Sequence, residues 1–447
     1  MSLPIYPNRV DTGDNLIGSV PAHWTRSALK RLATYQNGFA FKPEDWAAEG
    51  QPIIRIAQLT SDAEPNYFAG ELDGRLRVST GDLLFSWSAT IDSFIWRAGD
   101  AWLNQHIFKV SPTEEATKSY LFYLIKFLAP KLADLDAHGS TMRHIKKESL
   151  GQLVYVPTLD EQVAIATFLD RETAKIDTLI AEQENLIALL AEKRQATISH
   201  AVTKGLNPNV PMTDSGVAWL GDVPAHWKLC SLRRVISAIE QGWSPECHAR
   251  EAEEGEWGVL KAGCLNGGIF RPTENKALPP ELSPDPSYEI HAGDLLMSRA
   301  SGSPELVGST ALVMIARPRL LLSDKIFRLR LNSFMVPAYF AAALRSRALR
   351  IQIENSLSGG NGMANNLPQS SLLSFLILVP PREEQQAIAE YIDDAVNKMD
   401  RLQAESERAM NLLKERRSAL IAAAVTGQID VRDVVTQEIP AKEALFA

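Results

Sequence analysis

Residues 20–24 and 223–227 both read VPAHW, so His23 abuts Trp24 and His226 abuts Trp227. A histidine titrates near neutral pH, so a duplicated one could mark a duplicated general base. Such a base needs an acid or nucleophile beside it, and neither pentapeptide supplies one. A structural corner suits the residue types better, because proline sets a bend and tryptophan buries a large ring with one polar handle. The pentapeptide is read as fixing the start of a unit against its core.

Other reactive groups form no constellation. The three cysteines, Cys230, Cys247 and Cys264, are odd in number, and only Cys247 with His248 approaches a zinc-ligand pair. The stretch GSPELVGST (302–310) has no lysine before its Ser-Thr pair and fails the phosphate-loop pattern. Asp285 and Glu289 in SPDPSYEIH (283–291) lack the downstream Glu-x-Lys of a nuclease. No glycine-rich dinucleotide fingerprint and no Asn-Pro-Pro type methyltransferase motif is found. A non-catalytic chain with no metal or cofactor of its own is expected.

The residues must be positioned by something larger, and a repeat supplies it. Beyond VPAHW, LKRL (29–32) falls on LRRV (232–235), GDLLFS (81–86) on GDLLMS (293–298), and HIFKV (106–110) on KIFRL (325–329). Residues 157–203 then align without a gap on 380–426. The chain is two copies of one unit, each with a variable front and a constant back.

The backs read as helices. Ile165, Leu169, Ile176, Leu179, Ile187, Leu190, Ile198 and Val202 recur at helical spacing, matched by Ile388, Ile392, Met399, Leu402, Met410, Leu413, Ile421 and Val425. Pro157 and Pro380 precede acidic first turns, and Gly205 and Gly427 follow the ends. A helix of about 45 residues is roughly 65 Å long at 1.5 Å per residue, so its stripe needs another long helix as partner. The expected fold is α+β, with two globular domains, each followed by a long helix, and the helices pairing as an antiparallel coiled coil about an approximate two-fold axis. Its parts are a first domain (1–157), a first helical region (158–205), a second domain (206–380), a second helical region (381–427) and a tail (428–447). Within the fronts, QPIIRIAQL (51–59), DLLFSW (82–87) and HIFKV (106–110) read as strands and TKSYLFYLIKFLAPKLADL (117–135) as a helix.

Composition permits a DNA partner without demanding one. The 447 residues carry a formal charge of −8, but the first front holds 16 basic against 17 acidic residues and the second 16 against 16. Two nearly neutral bodies can each present a basic face. The opening MSLPIYPNRV lacks the basic and apolar regions of a signal peptide, and no apolar run approaches about 18 residues, so a cytoplasmic location is expected.

The twice-written helix and the twice-written VPAHW opening, with AVTGQI (424–429) at the end, resemble the specificity subunits of type I DNA restriction-modification enzymes over nearly the whole chain. The first copy departs slightly, ending AVTKGL (201–206). The resemblance implies a non-catalytic reader of double-stranded DNA. Each front would be a target-recognition domain for one half of a bipartite site, and the helices would set the spacer. They would also dock two methyltransferase (modification) subunits, with restriction/translocase subunits joining for cleavage. S-adenosylmethionine, ATP and Mg would be bound by those partners. Base reading needs Arg, Lys, Asn or Gln on loops facing the grooves. The candidates are Gln36, Asn37 and Lys42, then Arg143, His144, Lys146 and Lys147 in the first unit. In the second they are Gln241, Lys261, Arg299, Asn361, Asn365 and Asn366. The alternative is an assembly scaffold that binds only proteins, which near-neutral fronts also suit.

Overall fold

The computed structural model describes residues 3–137, 143–358 and 365–433. It contains two compact units, one of residues up to 183 together with those from 408 onward, the other of residues 184–407. Each unit therefore includes part of both long helices.

In the first unit, β1 (Ala33–Asn37), β2 (Leu83–Ser86), β3 (Asp92–Ile95) and β4 (Ile107–Pro112) form an antiparallel sheet in the order β1-β4-β2-β3. β2 is buried along its whole length, as its run of Leu83, Leu84 and Phe85 requires. A second sheet joins Gln51–Ile54, Asn66–Phe68, Arg77–Val78 and Ala101–Leu103, with Trp102 opposite Ile53 in a parallel pair. Helix α1 (Lys118–Asp136) starts at a Thr117 cap and buries Tyr120, Leu121, Leu124 and Leu128. Leu153–Val156 pairs with Thr25–Ala28, and helix α2 (Leu159–Lys204) follows.

The second unit repeats this plan. β5 (Ile236–Gln241), β6 (Leu295–Ser298), β7 (Thr310–Leu312) and β8 (Ile326–Leu331) take the equivalent order β5-β8-β6-β7, and Gly258–Leu260 runs parallel to Leu320–Leu321. Helix α3 (Pro337–Leu344) stands where α1 begins. Lys228–Ser231 pairs with Leu376–Val379 before helix α4 (Arg382–Val425). Even a charge tether recurs: Lys109 Nζ lies 2.7 Å from Asp82, while Arg328 and Arg330 lie 3.4 and 2.8 Å from Asp294.

The VPAHW corners are where the long helices meet their units. In the first unit, His23 Nε2 donates to Glu161 Oε1 at 2.9 Å, and Tyr6 Oη donates to the same oxygen at 3.2 Å. In the second, His226 Nε2 and Trp227 Nε1 donate to Glu384 at 2.7 and 2.9 Å. The neighbouring glutamines are almost wholly buried. Gln162 accepts from Thr117 N and donates to the carbonyls of Glu115 and Pro157; Gln385 accepts from Val336 N and donates to those of Phe334 and Pro380. Each corner also receives the end of the other helix. Gly427 (φ +63°) packs against Pro21 and Trp24, and Gly205 (φ +76°) against Trp227, where a left-handed helix stop and a close ring both favour glycine.

The helices differ from expectation in one respect. Leu179 and Leu402, placed in the apolar stripe, are 45% and 48% exposed, and Ile180 is buried instead of Leu179. A strict seven-residue reading drifts against 3.6 residues per turn, which shifts the buried position by one. In the fronts, QPIIRIAQL is a strand only over Gln51–Ile54 and turns into the short helix Ile56–Thr60. Asn365–Asn366, expected in a loop, pairs as a short strand with Ala300–Ser301. Among the described residues, no helix is long and apolar enough to cross a membrane.

Candidate nucleic-acid interface

The end of the buried strand in each sheet forms the same corner. Trp87 follows β2, and its backbone N–H donates to His106 O at 3.2 Å while its carbonyl accepts from Ile145 N at 2.9 Å. Arg299 follows β6, and its N–H donates to Lys325 O at 2.8 Å while its carbonyl accepts from Leu367 N at 2.9 Å. The side chains lie over matching rings: the Trp87 and Phe108 centroids are 6.0 Å apart, and the Arg299 guanidinium is 5.9 Å from the Phe327 centroid. One backbone thus carries two chemistries, an indole in one unit and a guanidinium in the other.

The surrounding residues continue that relation. Asn37 opposes Phe108 and Gln241 opposes Phe327 in register. Gly38 and Gly242 come next, and a Cβ on either would collide with backbone carbonyls, of Asn104 in one unit and Leu322 in the other. This close approach turns out Phe39 and Trp243, each 37% exposed. On the far side, Ser88 bridges to His144 and Ala300 to Asn366.

Several residues chosen from sequence are gathered here. In the first unit, Asn37 Oδ1 accepts from Trp87 Nε1 at 3.2 Å, Gln36 lies beside it on β1, and His144 lies across from Ser88. Arg143 is ion-paired to Asp134 on α1, and the Lys146 backbone N–H donates to Asp136 at 2.9 Å, followed by exposed Lys147. Lys42 stands farther along the loop, 3.4 Å from Glu44. In the second unit, Gln241 Nε2 and Arg299 Nη1 both donate to Asp324 O at 3.2 Å, and Asn365 Nδ2 donates to Gly302 O at 3.2 Å. Lys261 is not joined to this group; it precedes the turn Ala262–Gly268 with its ammonium 3.7 Å from Glu274. Asn361 lies outside the described residues.

Sequence reasoning missed Phe39, Trp87, His106, Trp243 and Lys325. The signal was available, since Trp87 and Arg299 directly follow the aligned GDLLFS and GDLLMS, and His106 and Lys325 open the aligned HIFKV and KIFRL. The His106 and Trp87 rings meet at a tilt of 58° with centroids 5.3 Å apart. Lys325 lies 3.1 Å from Asp324. Burial pushes the Asp324 carboxyl up, but the hydrogen bond from Ser244 and the Lys325 ammonium outweigh it and hold it below the ordinary range. The second corner therefore carries fixed charge of both signs among amide side chains.

These corners bring together guanidinium, amide and aromatic side chains. Guanidinium and amide groups can make paired hydrogen bonds to base edges, and indole or phenyl rings can meet apolar edges or stack. Among the described residues, no three His, Cys, Asp or Glu side chains are placed to hold a metal ion. Burial pushes the Cys264 thiol up to about 12, away from reactivity at neutral pH.

Comparison with known proteins agrees with this picture. Residues 21–188 match the family described as type I restriction modification DNA specificity domain. The EcoEI specificity subunit of Escherichia coli is 30% identical over 242 residues, which is 54% of this chain but only 40% of that relative. The EcoKI specificity subunit of Escherichia coli (strain K12) is 25% identical over 437 residues, covering 92% of this chain and 90% of the relative. A solved chain from a type I R-M system has the same fold, with a TM-score of 0.63 at 17% identity over 92% of this chain and 99% of that one. Residues 21–188 thus carry the likeness to the type I restriction modification DNA specificity domain, and over nearly its whole length the chain is similar to type I specificity subunits.

Proposed function

We propose that the chain selects the DNA sequence for a type I restriction-modification enzyme, with residues 1–157 and 206–380 each reading one half of a bipartite target. The observation that carries this reading is the match of backbone and mismatch of side chain at Trp87 and Arg299. Two readers of different half-sites need equal frames and unequal side chains. A protein scaffold has no such need.

The helical regions, 158–205 and 381–427, would pair antiparallel and hold the readers at a set separation. Two ion pairs support this: Asp177 with Arg417 at 2.5 Å in the first unit, and Asp400 with Arg194 in the second. The alignment of the two helices exchanges one pair for the other, as an approximate two-fold relation would. Two modification subunits would dock on these helices and methylate adenine with S-adenosylmethionine. The target base must leave the stack, so the reader would hold deformed DNA. Restriction/translocase subunits, using ATP and Mg, would complete the enzyme in the cytoplasm.

The test is selection from random duplexes by the chain bound to its modification subunits, at several salt concentrations. Enrichment of two short sequences at a fixed gap is expected, with affinity falling as salt rises in proportion to the phosphates contacted. A complex that enriches no sequence would leave the scaffold reading in place.

A further inference from the structure

The two units differ sharply at one place beside the long helices. In the first, α1 carries Phe122 and Tyr123, whose rings meet edge to face at 4.8 Å. Tyr123 Oη donates to Asp170 of α2 at 2.6 Å and lies 3.2 Å from Thr173. Lys126, one turn on, sits 5.2 Å from the Phe122 ring and pairs with Asp92 at 2.7 Å. The space between the front helix and the long helix is filled from within.

In the second unit the same positions hold Ala341, Ala342 and Arg345. The alignment is fixed on either side by Tyr120 and Tyr339, both fully buried, and by the Gln162 and Gln385 anchors at Thr117 and Val336. Asp393 and Val396 of α4 stand where Asp170 and Thr173 stand in α2. With methyl groups in place of two rings, a groove of about 600 Å³ opens between α3, α4 and β7. That is within the range of about 300–1,000 Å³ typical of sites that enclose a ligand group.

Two polar atoms at its edge also lack partners. Nε and Nη2 of Arg317 are buried without a hydrogen bond, while its Nη1 donates to the Glu253 carbonyl at 3.1 Å. Burial and the neighbouring Arg194 hold the Arg345 guanidinium below its usual range, against the pull of Asp400. Buried guanidinium N–H groups left unpaired are costly, so an acceptor brought by a ligand is favoured there. At the mouth, Met314 and Ile315 are 75% and 83% exposed, unusual for adjacent large apolar side chains.

We propose that this groove binds an aromatic side chain of a partner polypeptide, with an acidic residue next to it in that partner. The ring takes the volume that Phe122 and Tyr123 occupy in the other unit. A phenol hydroxyl reaches Asp393 as Tyr123 reaches Asp170, and the flanking carboxylate meets Arg345 and Arg317. In the first unit Phe122 and Tyr123 fill the equivalent place. This goes beyond DNA reading and does not depend on it.

The test uses the full chain and a fluorescein-labelled peptide, Glu-Phe-Tyr-Glu, with Glu-Ala-Ala-Glu as control, read by anisotropy. The aromatic peptide should bind about tenfold more tightly than the control. Ala341→Phe with Ala342→Tyr should refill the groove, weaken peptide binding about tenfold, and leave the melting temperature unchanged or higher. Ile315→Ser, on an exposed side chain that the core does not need, should weaken binding by about fivefold. Equal binding of the two peptides would overturn the proposal, as would wild-type affinity in both variants. Self-association of the chain that the double substitution abolishes would assign the groove to a second copy, and would overturn it too.

Discussion

Glu161 accepts a hydrogen bond from His23 at 2.9 Å across 138 residues of sequence, tying the first turn of a long helix to the corner that opens its unit. The equivalent pair in the other unit, His226 and Glu384, is more open to solvent, with the Glu384 side chain 41% exposed against 7% for Glu161. A buried carboxylate bonded to several donors is worth more than an exposed one. Glu161→Ala should cost about 2 kcal/mol in urea unfolding and Glu384→Ala under about 1 kcal/mol.

Acid should act through the same carboxylate. Burial raises Glu161, but the bonds from His23 and Thr158 outweigh it and hold the carboxyl below the ordinary range. A group lowered in the folded state contributes stability above its unfolded titration range, and that contribution is lost as pH falls through the lowered value. Glu161→Gln should therefore flatten the decline of stability on acidification, measured as melting temperature against pH. An unchanged slope would show that the carboxylate is not coupled to folding.

The glutamine anchors should be less forgiving than the histidines. Gln162→Ala would leave the Thr117 N–H and two carbonyls unpaired in a buried place. A loss of about 2–4 kcal/mol is expected, from about 1–3 kcal/mol for each buried group left without a partner, partly relieved by relaxation. Glu at this position should not rescue it, because a carboxylate cannot donate to the carbonyls of Glu115 and Pro157.

Half-site reading should separate by unit. Arg299→Ala should relax base choice in one half-site by about 1–3 kcal/mol, seen in competition between duplexes, while the other half-site is unaffected. Trp87→Arg should change selection in the opposite half-site, because the backbone there already presents this position as it presents Arg299. If either substitution altered both half-sites equally, the corners would not be independent readers.

The exposed interhelical pair in the first unit should matter little for stability. Asp177 is 55% exposed, and Asp177→Ala should change it by under about 1 kcal/mol in thermal unfolding.

Much of this architecture was legible in the sequence because duplication and helical period both leave marks on residue type. The gap-free alignment of 157–203 on 380–426 predicts helices that the structure places at Leu159–Lys204 and Arg382–Val425. The corner role of VPAHW was legible too, whereas its partners Glu161 and Glu384 were not. Acids in a first turn already suit the helix dipole, and a contact spanning 138 residues has no local signature. The two corners were half legible. Gln36, Asn37, Gln241 and Arg299, picked by residue type, lie at them, whereas Trp87 and Phe39 do not stand out, because an aromatic beside a strand reads as core. Lys261 was chosen for its charge, which says nothing about the sheet on which it lies.

The glycines at 38 and 242 carry a consequence for how such a protein changes over time. By pressing the chain flat against the neighbouring strand, they hold the frame still whatever side chains flank them. If the fronts read DNA as proposed, new specificities would arise by exchanging those side chains alone, like type in a fixed forme, with one unit rewritten while the other stays in print.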